Sequence, residues 1–175
     1  MKKLIPDYVA LLSQEIAETG KMAKELGLNL ESVYFGGGTP TTLNAEELGA
    51  LLSAVDKAFD LTTVREYTVE SGRPDTITKE KLDTLYQGGV TRISINPQTF
   101  NDRVLENIGR KHTAAMTEEA FCMARDAGFR NINMDLIAGL PGDTTESFAA
   151  SVDKAISFTP ENITVHTLSL KRSSN

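Results

Sequence analysis

The chain has 175 residues and a mass of 19.0 kDa, about the size of one domain. Hydrophobic residues make up 40% and charged residues 24% of it, a globular composition, and no apolar run approaches the roughly 18 residues of a membrane helix. The net charge of −6 argues against a nucleic acid partner, because proteins that bind nucleic acid need a basic surface. Pro6 and Asp7 interrupt the N-terminal segment before the apolar stretch of a signal sequence could form, which favours a cytoplasmic protein.

The sequence contains a single cysteine, Cys122. One thiol cannot form an internal disulfide bond, and it cannot by itself hold zinc or an iron–sulfur cluster. Cys122 lies between Phe121 and Met123 in a helical segment, so we expect it to be a small buried apolar residue. Any metal chemistry must therefore use ligands from elsewhere.

Apolar residues alternate between helical and strand spacing along the whole chain, without a Pro-rich or Ser-rich linker, which predicts a single domain over residues 1–175. Asn44 with Glu47 and Asp143 with Glu146 form two capping-box patterns that mark helix starts. Helical spacing predicts helices over residues 7–26, 44–59, 78–87, 102–108, 113–127 and 143–156, the last with Ile156 on its inner face. Gly27 directly after the first helix is predicted to be its left-handed cap. Residues 32–35, 65–70, 91–96, 131–137 and 163–168 are predicted strands.

Strands that alternate with helices at this spacing are typical of repeated βα units, which pair parallel strands and place the helices outside. We therefore predict an α/β fold with a parallel sheet or partial barrel. Ligands of such sheets bind at the carboxyl ends of the strands, so the residues that follow each strand are the candidates for a site.

Three consecutive glycines, Gly36, Gly37 and Gly38, follow the first predicted strand and precede Thr39 and Pro40. Glycines without a Cβ let the backbone approach a ligand closely, although a tight turn between strand and helix explains them equally well. The pattern matches neither the dinucleotide-binding GxGxxG motif nor the phosphate-binding GxxxxGK[ST] motif. An ordinary dinucleotide or P-loop site is therefore disfavoured.

Glu70 closes the second predicted strand and Gln98 follows the third by two residues. Asp135 lies within the fourth strand, shortly before Gly139, and Arg110 follows Gln98 by twelve residues. Singly, each is typical of a solvated surface residue. Together, two carboxylates, an amide and a guanidinium suit a ligand that carries an amine, a carboxylate and ribose hydroxyls. We assign no catalytic role to the two histidines of the chain, His112 and His166, so the catalytic residues remain unassigned.

This combination resembles the radical S-adenosylmethionine (SAM) enzymes of the oxygen-independent coproporphyrinogen III oxidase group. The resemblance runs through essentially the whole chain and is carried by residues 34–41, Glu70, residues 92–98, residues 109–112 and residues 134–142. The closing segment, residues 164–172, is most similar to the coproporphyrinogen dehydrogenase branch rather than to the haem-chaperone branch.

The resemblance implies part of a TIM-like radical SAM barrel and a set of SAM contacts. Gly36, Gly37, Gly38 and Thr39 would meet the methionine end of SAM, and Arg110 would pair with its carboxylate. The ribose and neighbouring polar groups would contact Glu70, Gln98 and Asp135, and the backbone near Ser169 would flank the adenine.

In that family a [4Fe-4S] cluster donates an electron to SAM, and the resulting 5′-deoxyadenosyl radical takes a hydrogen from a porphyrinogen propionate. Loss of carbon dioxide then leaves a vinyl group, as a step of haem synthesis. The implied partners are a porphyrinogen substrate and an electron donor.

The family's cluster-binding CxxxCxxC motif does not occur in this sequence. We therefore interpret the chain as an internal fragment of the catalytic barrel that is inactive by itself, binds SAM weakly and exposes strand edges prone to self-association. Two alternatives remain open. One is a haem-trafficking protein of the same superfamily, and the other is a non-catalytic half-barrel that binds a metabolite or a partner protein.

Overall fold

Five parallel strands form one sheet in the computed structural model, which describes residues 4–169. Their order in space is the order of the sequence. The strands are β1 (Ser32–Phe35), β2 (Glu66–Ser71), β3 (Arg92–Gln98), β4 (Ile132–Ala138) and β5 (Asn162–Thr167). Every neighbouring pair is parallel, so the predicted parallel α/β sheet is confirmed.

Helices connect the strands, with three short 3-10 turns between them. The helices are α1 (Ile5–Glu25), α2 (Ala45–Ala58), α3 (Lys79–Gln87), α4 (Asp102–Asn107), α5 (Ala114–Asp126) and α6 (Thr145–Ser157). The Asn44 and Glu47 capping box before α2 is confirmed, because each side chain accepts the backbone N–H of the other. The left-handed glycine predicted after α1 is also confirmed, since Gly27 has φ 65°.

The predicted capping box of Asp143 and Glu146 is wrong by one residue. Thr144 is the N-cap of α6, and its hydroxyl accepts the backbone N–H of Ser147 at 3.1 Å. Asp143 instead belongs to the preceding turn, where Gly142 has φ 82° and the Asp143 N–H donates to the carbonyl of Leu140. The turn uses the residue that the sequence pattern assigned to the cap.

The two faces of the sheet differ in chemistry. A right-handed crossover that always steps to the next strand places every connecting helix on the same face, as in a βα barrel. Towards the helices the strands present buried apolar residues, among them Tyr67, Val69, Ile93, Ile95, Ile132 and Met134. The opposite, inner face is polar, because the alternate residues of the same strands include Glu66, Thr68, Glu70, Arg92, Ser94, Asn96, Asn133 and Asp135.

Two apolar residues expected inside the helical layer lie at the surface. Cys122 of α5 is exposed, because the buried stripe of that helix runs through Thr117, Ala120, Phe121 and Ala124 and leaves the next position outside. Ile156 of α6 is 55% exposed for the same reason, since Ser151 and Ala155 form the buried positions. No helix within residues 4–169 has the length and hydropathy needed to cross a bilayer.

Candidate functional site

The glycine turn follows β1 at the carboxyl edge of the sheet, and its three glycines differ in what the fold asks of them. A Cβ on Gly36 would collide with the ring of Tyr34. Gly37 has φ 101°, which an L side chain rarely adopts. Gly38 has neither restriction, because its φ is not positive and a Cβ there would meet no atom within 4 Å. The fold therefore explains the first two glycines and leaves the third unexplained.

Glu70 lies one residue before the end of β2 and is half-buried. Its carboxylate accepts a hydrogen bond from the hydroxyl of Tyr34, which lies on the inner side of β1. Burial raises the pKa of Tyr34 to about 12, with further contributions from the hydrogen bond to Glu70 and from the charges of Glu70 and Asp135. Both carboxylates therefore lie close enough to act on the same phenol.

Asp135 is held in a network on the inner face of β4. The Asn133 side-chain amide donates to Asp135 Oδ1 and, at 3.0 Å, to the hydroxyl of Ser94, while the Thr164 hydroxyl donates to Asn133 Oδ1 at 2.9 Å. The other oxygen of Asp135 lies 3.9 Å from Nε2 of His166. These contacts join β3, β4 and β5 and fix the position of the Asp135 carboxylate on the inner face.

Gln98 is the last residue of β3, whereas the sequence pattern ended this strand two residues earlier. The register with β4 shifts between Ile95 and Gln98, and Gln98 has φ 67°. His112 supports this irregular segment, because its Nε2 lies 3.1 Å from the carbonyl oxygen of Pro97. His112 is 2% exposed, and burial is the main reason that its pKa is lowered.

Arg110 lies two residues before His112 and is half-buried. Burial lowers the pKa of its guanidinium, as does the positive charge of Arg73, and Asp75 opposes the shift. Arg73 and Asp75 belong to the loop that follows β2. Arg110 therefore lies beside the loop that follows the strand of Glu70, and it keeps the positive charge that an anionic ligand group needs.

Thr39 and Ser169 complete the predicted set. Thr39 is half-buried, and its carbonyl oxygen accepts the N–H of Thr42 at 2.9 Å, which closes the turn after the glycines. Ser169 is exposed and follows β5, whose pairing with β4 extends to a bond of 2.9 Å from the Leu168 N–H to the Ala138 carbonyl. The roles of the nine predicted SAM-contact residues stay predictions.

Sequence reasoning missed the residues that orient the carboxylates, above all Tyr34 and Asn133. The available signal was the strict alternation of polar and apolar residues along β2, β3 and β4, which predicts two different faces of a sheet. The partner of each side chain depends on the register between strands, which one sequence does not reveal.

The residues present fit SAM but not an iron–sulfur cluster. Open space at Gly38, a positive guanidinium at Arg110 and two carboxylates match the amine, carboxylate and hydroxyl groups of SAM. A cluster needs several thiolates, whereas the chain has one cysteine, exposed on α5. In the part of the chain that the structure describes, no three His, Cys, Asp or Glu side chains are grouped to hold a metal ion.

The sheet is parallel with its strands in sequence order, and its inner face is polar with candidate ligand-binding residues at the carboxyl edge. This arrangement is typical of the βα-barrel class of proteins. The sequence-family model of the radical SAM superfamily matches residues 3–155, and the chain belongs to this superfamily.

Known relatives agree with the resemblance to the coproporphyrinogen III oxidase group. The Bacillus subtilis (strain 168) protein named oxygen-independent coproporphyrinogen-III oxidase-like protein HemZ is 46% identical over 93% of this chain and 33% of its own length. Heme chaperone HemW of the same organism is 37% identical over 94% of this chain and 43% of its own length.

Among solved structures, coproporphyrinogen III oxidase (HemN) from Escherichia coli, described as a radical SAM enzyme, matches with a TM-score of 0.84. It is 30% identical and covers 94% of this chain, which spans 37% of that structure. The predicted family and the predicted partial radical SAM barrel are thus confirmed. The chain spans between 33% and 43% of the length of these relatives.

Proposed function

We propose that this chain is the SAM-binding part of an oxygen-independent coproporphyrinogen III oxidase. The whole protein would convert porphyrinogen propionates to vinyl groups by oxidative decarboxylation during haem synthesis. Its substrate would be a porphyrinogen, its reductant a separate electron donor and its location the cytoplasm. Residues 1–175 would form one domain of it.

The observation that carries the proposal is Gly38. Because neither the backbone angle nor a neighbouring atom requires glycine there, the absence of a side chain leaves open space beside the turn. Backbone N–H and C=O groups in such a turn can contact the amino group and carboxylate of a ligand directly. Gly38 lies at the same edge of the sheet as the carboxylates of Glu70 and Asp135 and the guanidinium of Arg110. The open space at Gly38 and these charged groups together would form one ligand site.

Each residue has a defined task in binding SAM. The guanidinium of Arg110 would pair with the SAM carboxylate, and the carbonyl groups of the glycine turn would accept hydrogen bonds from its amino group. Glu70 and Asp135 would accept hydrogen bonds from ribose hydroxyls, with Gln98 and Ser169 toward the neighbouring polar groups and the adenine. Bound SAM would supply a sulfonium whose carbon–sulfur bond can be broken by one-electron reduction. The residues named above would hold the amino, carboxylate, ribose and adenine groups of the molecule.

The electron-transfer step lies outside what these residues can do, because one exposed thiol cannot hold the cluster. The test of the proposal is therefore binding rather than turnover. The ¹⁵N-labelled chain is titrated with SAM to millimolar concentration, and amide shifts are followed by NMR. We expect shifts to concentrate in residues 36–39 and around Glu70, Gln98, Arg110 and Asp135.

Two glycine variants make this test specific. Gly38→Ala should keep the melting temperature of the parent chain and weaken SAM binding about tenfold, because its Cβ enters the ligand space rather than the protein. Gly49→Ala on α2 is the matched control, since a Cβ there meets only Thr84 Cγ2 at 3.6 Å. Unchanged SAM affinity in Gly38→Ala, or shifts confined to other regions, would contradict the proposal.

A haem-trafficking function is the second candidate, favoured by the 37% identity to the heme chaperone HemW. The source gene should first be sequenced on both sides of this segment to find whether a CxxxCxxC motif is joined in frame. The complete gene product is then incubated with coproporphyrinogen, SAM and a reductant. Vinyl product supports the oxidase, whereas haem binding without product supports the chaperone.

A non-catalytic half-barrel is the third candidate, and its support is the single cysteine of the sequence. This hypothesis requires that the source gene has no CxxxCxxC motif in frame with this segment. It also requires that the complete gene product forms neither vinyl product nor a haem complex. Binding of SAM at the predicted residues would count against it.

A further inference from the structure

Tyr34 occupies a position between two parts of the proposed SAM site. It lies on the inner side of β1, in register with Thr68 of β2, and two residues before the first glycine of the turn. Glu70 lies two residues beyond Thr68 on the neighbouring strand. The Tyr34 side chain therefore starts one level below both Gly36 and Glu70, and it is long enough to reach them.

The side chain contacts both. Its ring lies against Gly36, where a Cβ would collide with the Cε1 and Cδ1 atoms. Its hydroxyl donates a hydrogen bond to Oε1 of Glu70. One side chain thus joins the backbone of the glycine turn after β1 to the carboxylate at the end of β2.

Core packing does not explain a tyrosine at this position, because the residue is 60% exposed. Partial burial of the hydroxyl, its hydrogen bond to Glu70 and the charges of Glu70 and Asp135 raise the pKa of Tyr34 to about 12, so the phenol is protonated at neutral pH. The protonated hydroxyl can donate to Glu70, whose ionised carboxylate can only accept. The contact therefore fixes the direction in which one carboxylate oxygen points and leaves the other oxygen available to a ligand.

We propose that Tyr34 is a positioning residue of the SAM site, which aligns the Glu70 carboxylate with the glycine turn through one ring contact and one hydrogen bond. The inference rests on the proposed function. It assigns a role to a residue that binds no ligand group itself, in the same way that groups outside a binding site fix the orientation of those within it.

A double-mutant cycle tests the inference with SAM as the probe. Tyr34→Phe keeps the ring on Gly36 and removes only the hydroxyl, so we expect SAM affinity to fall about fivefold while the melting temperature stays within error. In a Glu70→Gln background the same change should have no further effect, because the carboxylate that Tyr34 orients is gone. Tyr86→Phe, near the C-terminal end of α3, is the matched control and should bind SAM like the parent chain.

A measurement without SAM accompanies the cycle. With ¹³Cζ-labelled tyrosine, the Tyr34 resonance is identified by its loss in Tyr34→Phe and should move in Glu70→Gln, because the ring carbon senses the hydrogen bond of its hydroxyl. A resonance that does not move would overturn the contact itself. Equal losses of SAM affinity from Tyr34→Phe in both backgrounds, or none in either, would overturn the positioning role.

The wild-type titration separates this inference from the proposed function. If the parent chain shows no SAM-dependent shifts, the proposed function fails and the positioning role fails with it. If the parent chain binds SAM and Tyr34→Phe binds it equally well, only the inference fails.

Discussion

The ring of His112 holds the backbone of Pro97, with Nε2 of the histidine 3.1 Å from the proline carbonyl oxygen. A carbonyl oxygen can only accept, so Nε2 carries the proton in the neutral ring. Pro97 directly precedes Gln98, whose φ of 67° marks the irregular end of β3. His112 thus connects the segment after α4 to the strand end that presents Gln98.

This contact predicts a pH dependence of stability. Burial lowers the pKa of His112, so protons bind the unfolded chain more readily than the folded one. The free energy of unfolding should therefore be greatest above the ordinary histidine pKa of about 6.5 and decrease as the pH falls below it. Urea unfolding at several pH values between neutral and mildly acidic measures the slope.

The second histidine of the chain provides the control. His112→Asn should lower the free energy of unfolding at neutral pH by about 1–3 kcal/mol, because the Pro97 carbonyl loses its partner, and should flatten the slope. His166→Asn leaves the His112 contact intact, since His166 is exposed on β5. A parent-like slope in His112→Asn would show that other groups cause the dependence.

Local patterns predicted the fold well because they depend on neighbouring residues only. The Asn44 capping box and the Gly27 turn are each complete within one helical end, and both are confirmed. The cap of α6 was misplaced because Gly142 opens a turn that takes up Asp143. Cys122 was misplaced because an apolar residue beside a buried stripe can face solvent, and hydrophobicity alone does not give its angle around the helix.

The candidate site was predicted in its charged members but not in the groups that orient them. Glu70, near the end of β2, and Asp135, within β4, follow from positions along their strands that the sequence reveals. The contact of Tyr34 with Glu70 joins two strands that are 36 residues apart, and the bond from Asn133 to Ser94 joins residues 39 apart. Such pairs depend on strand register, which follows from the packing of the whole sheet.

Arg110 gives a prediction about charge and shape in ligand binding. Arg110→Gln should weaken SAM binding about tenfold or more, because the SAM carboxylate loses a charge-assisted hydrogen-bonded partner. The SAM affinity of Arg110→Lys should lie between those of the parent chain and Arg110→Gln, since lysine keeps the positive charge but lacks the planar guanidinium. The NMR titration described above measures all three affinities.

The control for Arg110 is Arg103→Gln on α4. Arg103 is exposed, and the substitution removes the same charge from the chain. If Arg103→Gln weakens binding as much as Arg110→Gln, the effect comes from net charge and Arg110 is not a specific partner of the ligand.

Two helical glycines give opposite predictions for stability. Gly20 of α1 packs against the end of α2, where a Cβ would lie 2.5 Å from the carbonyl oxygen and 2.8 Å from the Cβ of Ala58. Gly20→Ala should destabilise the chain by about 1–3 kcal/mol, because the helices must separate. Gly49→Ala should stabilise it by about 0.5–1 kcal/mol, because alanine favours the helix and meets only ordinary contacts.

Thermal and denaturant unfolding of the two variants measure this difference. Equal effects would mean that the close approach of α1 and α2 does not constrain Gly20. The pair also serves the binding experiments, since Gly49→Ala reports what an added methyl group does away from the site.

The two edges of the sheet predict self-association of the chain. Within residues 4–169, β1 and β5 each pair with one strand, so each has unpaired backbone groups that another chain can use. Val165 of β5 adds an exposed apolar surface, with 51% of the residue accessible. Light scattering should show a mass that rises with protein concentration.

Val165→Lys should reduce this rise, because a charge on an edge strand opposes pairing. Ile156→Lys changes a similarly exposed residue on α6, so it should leave the rise unchanged. A monomer at every concentration, or an equal reduction by both lysines, would show that the strand edges do not cause association.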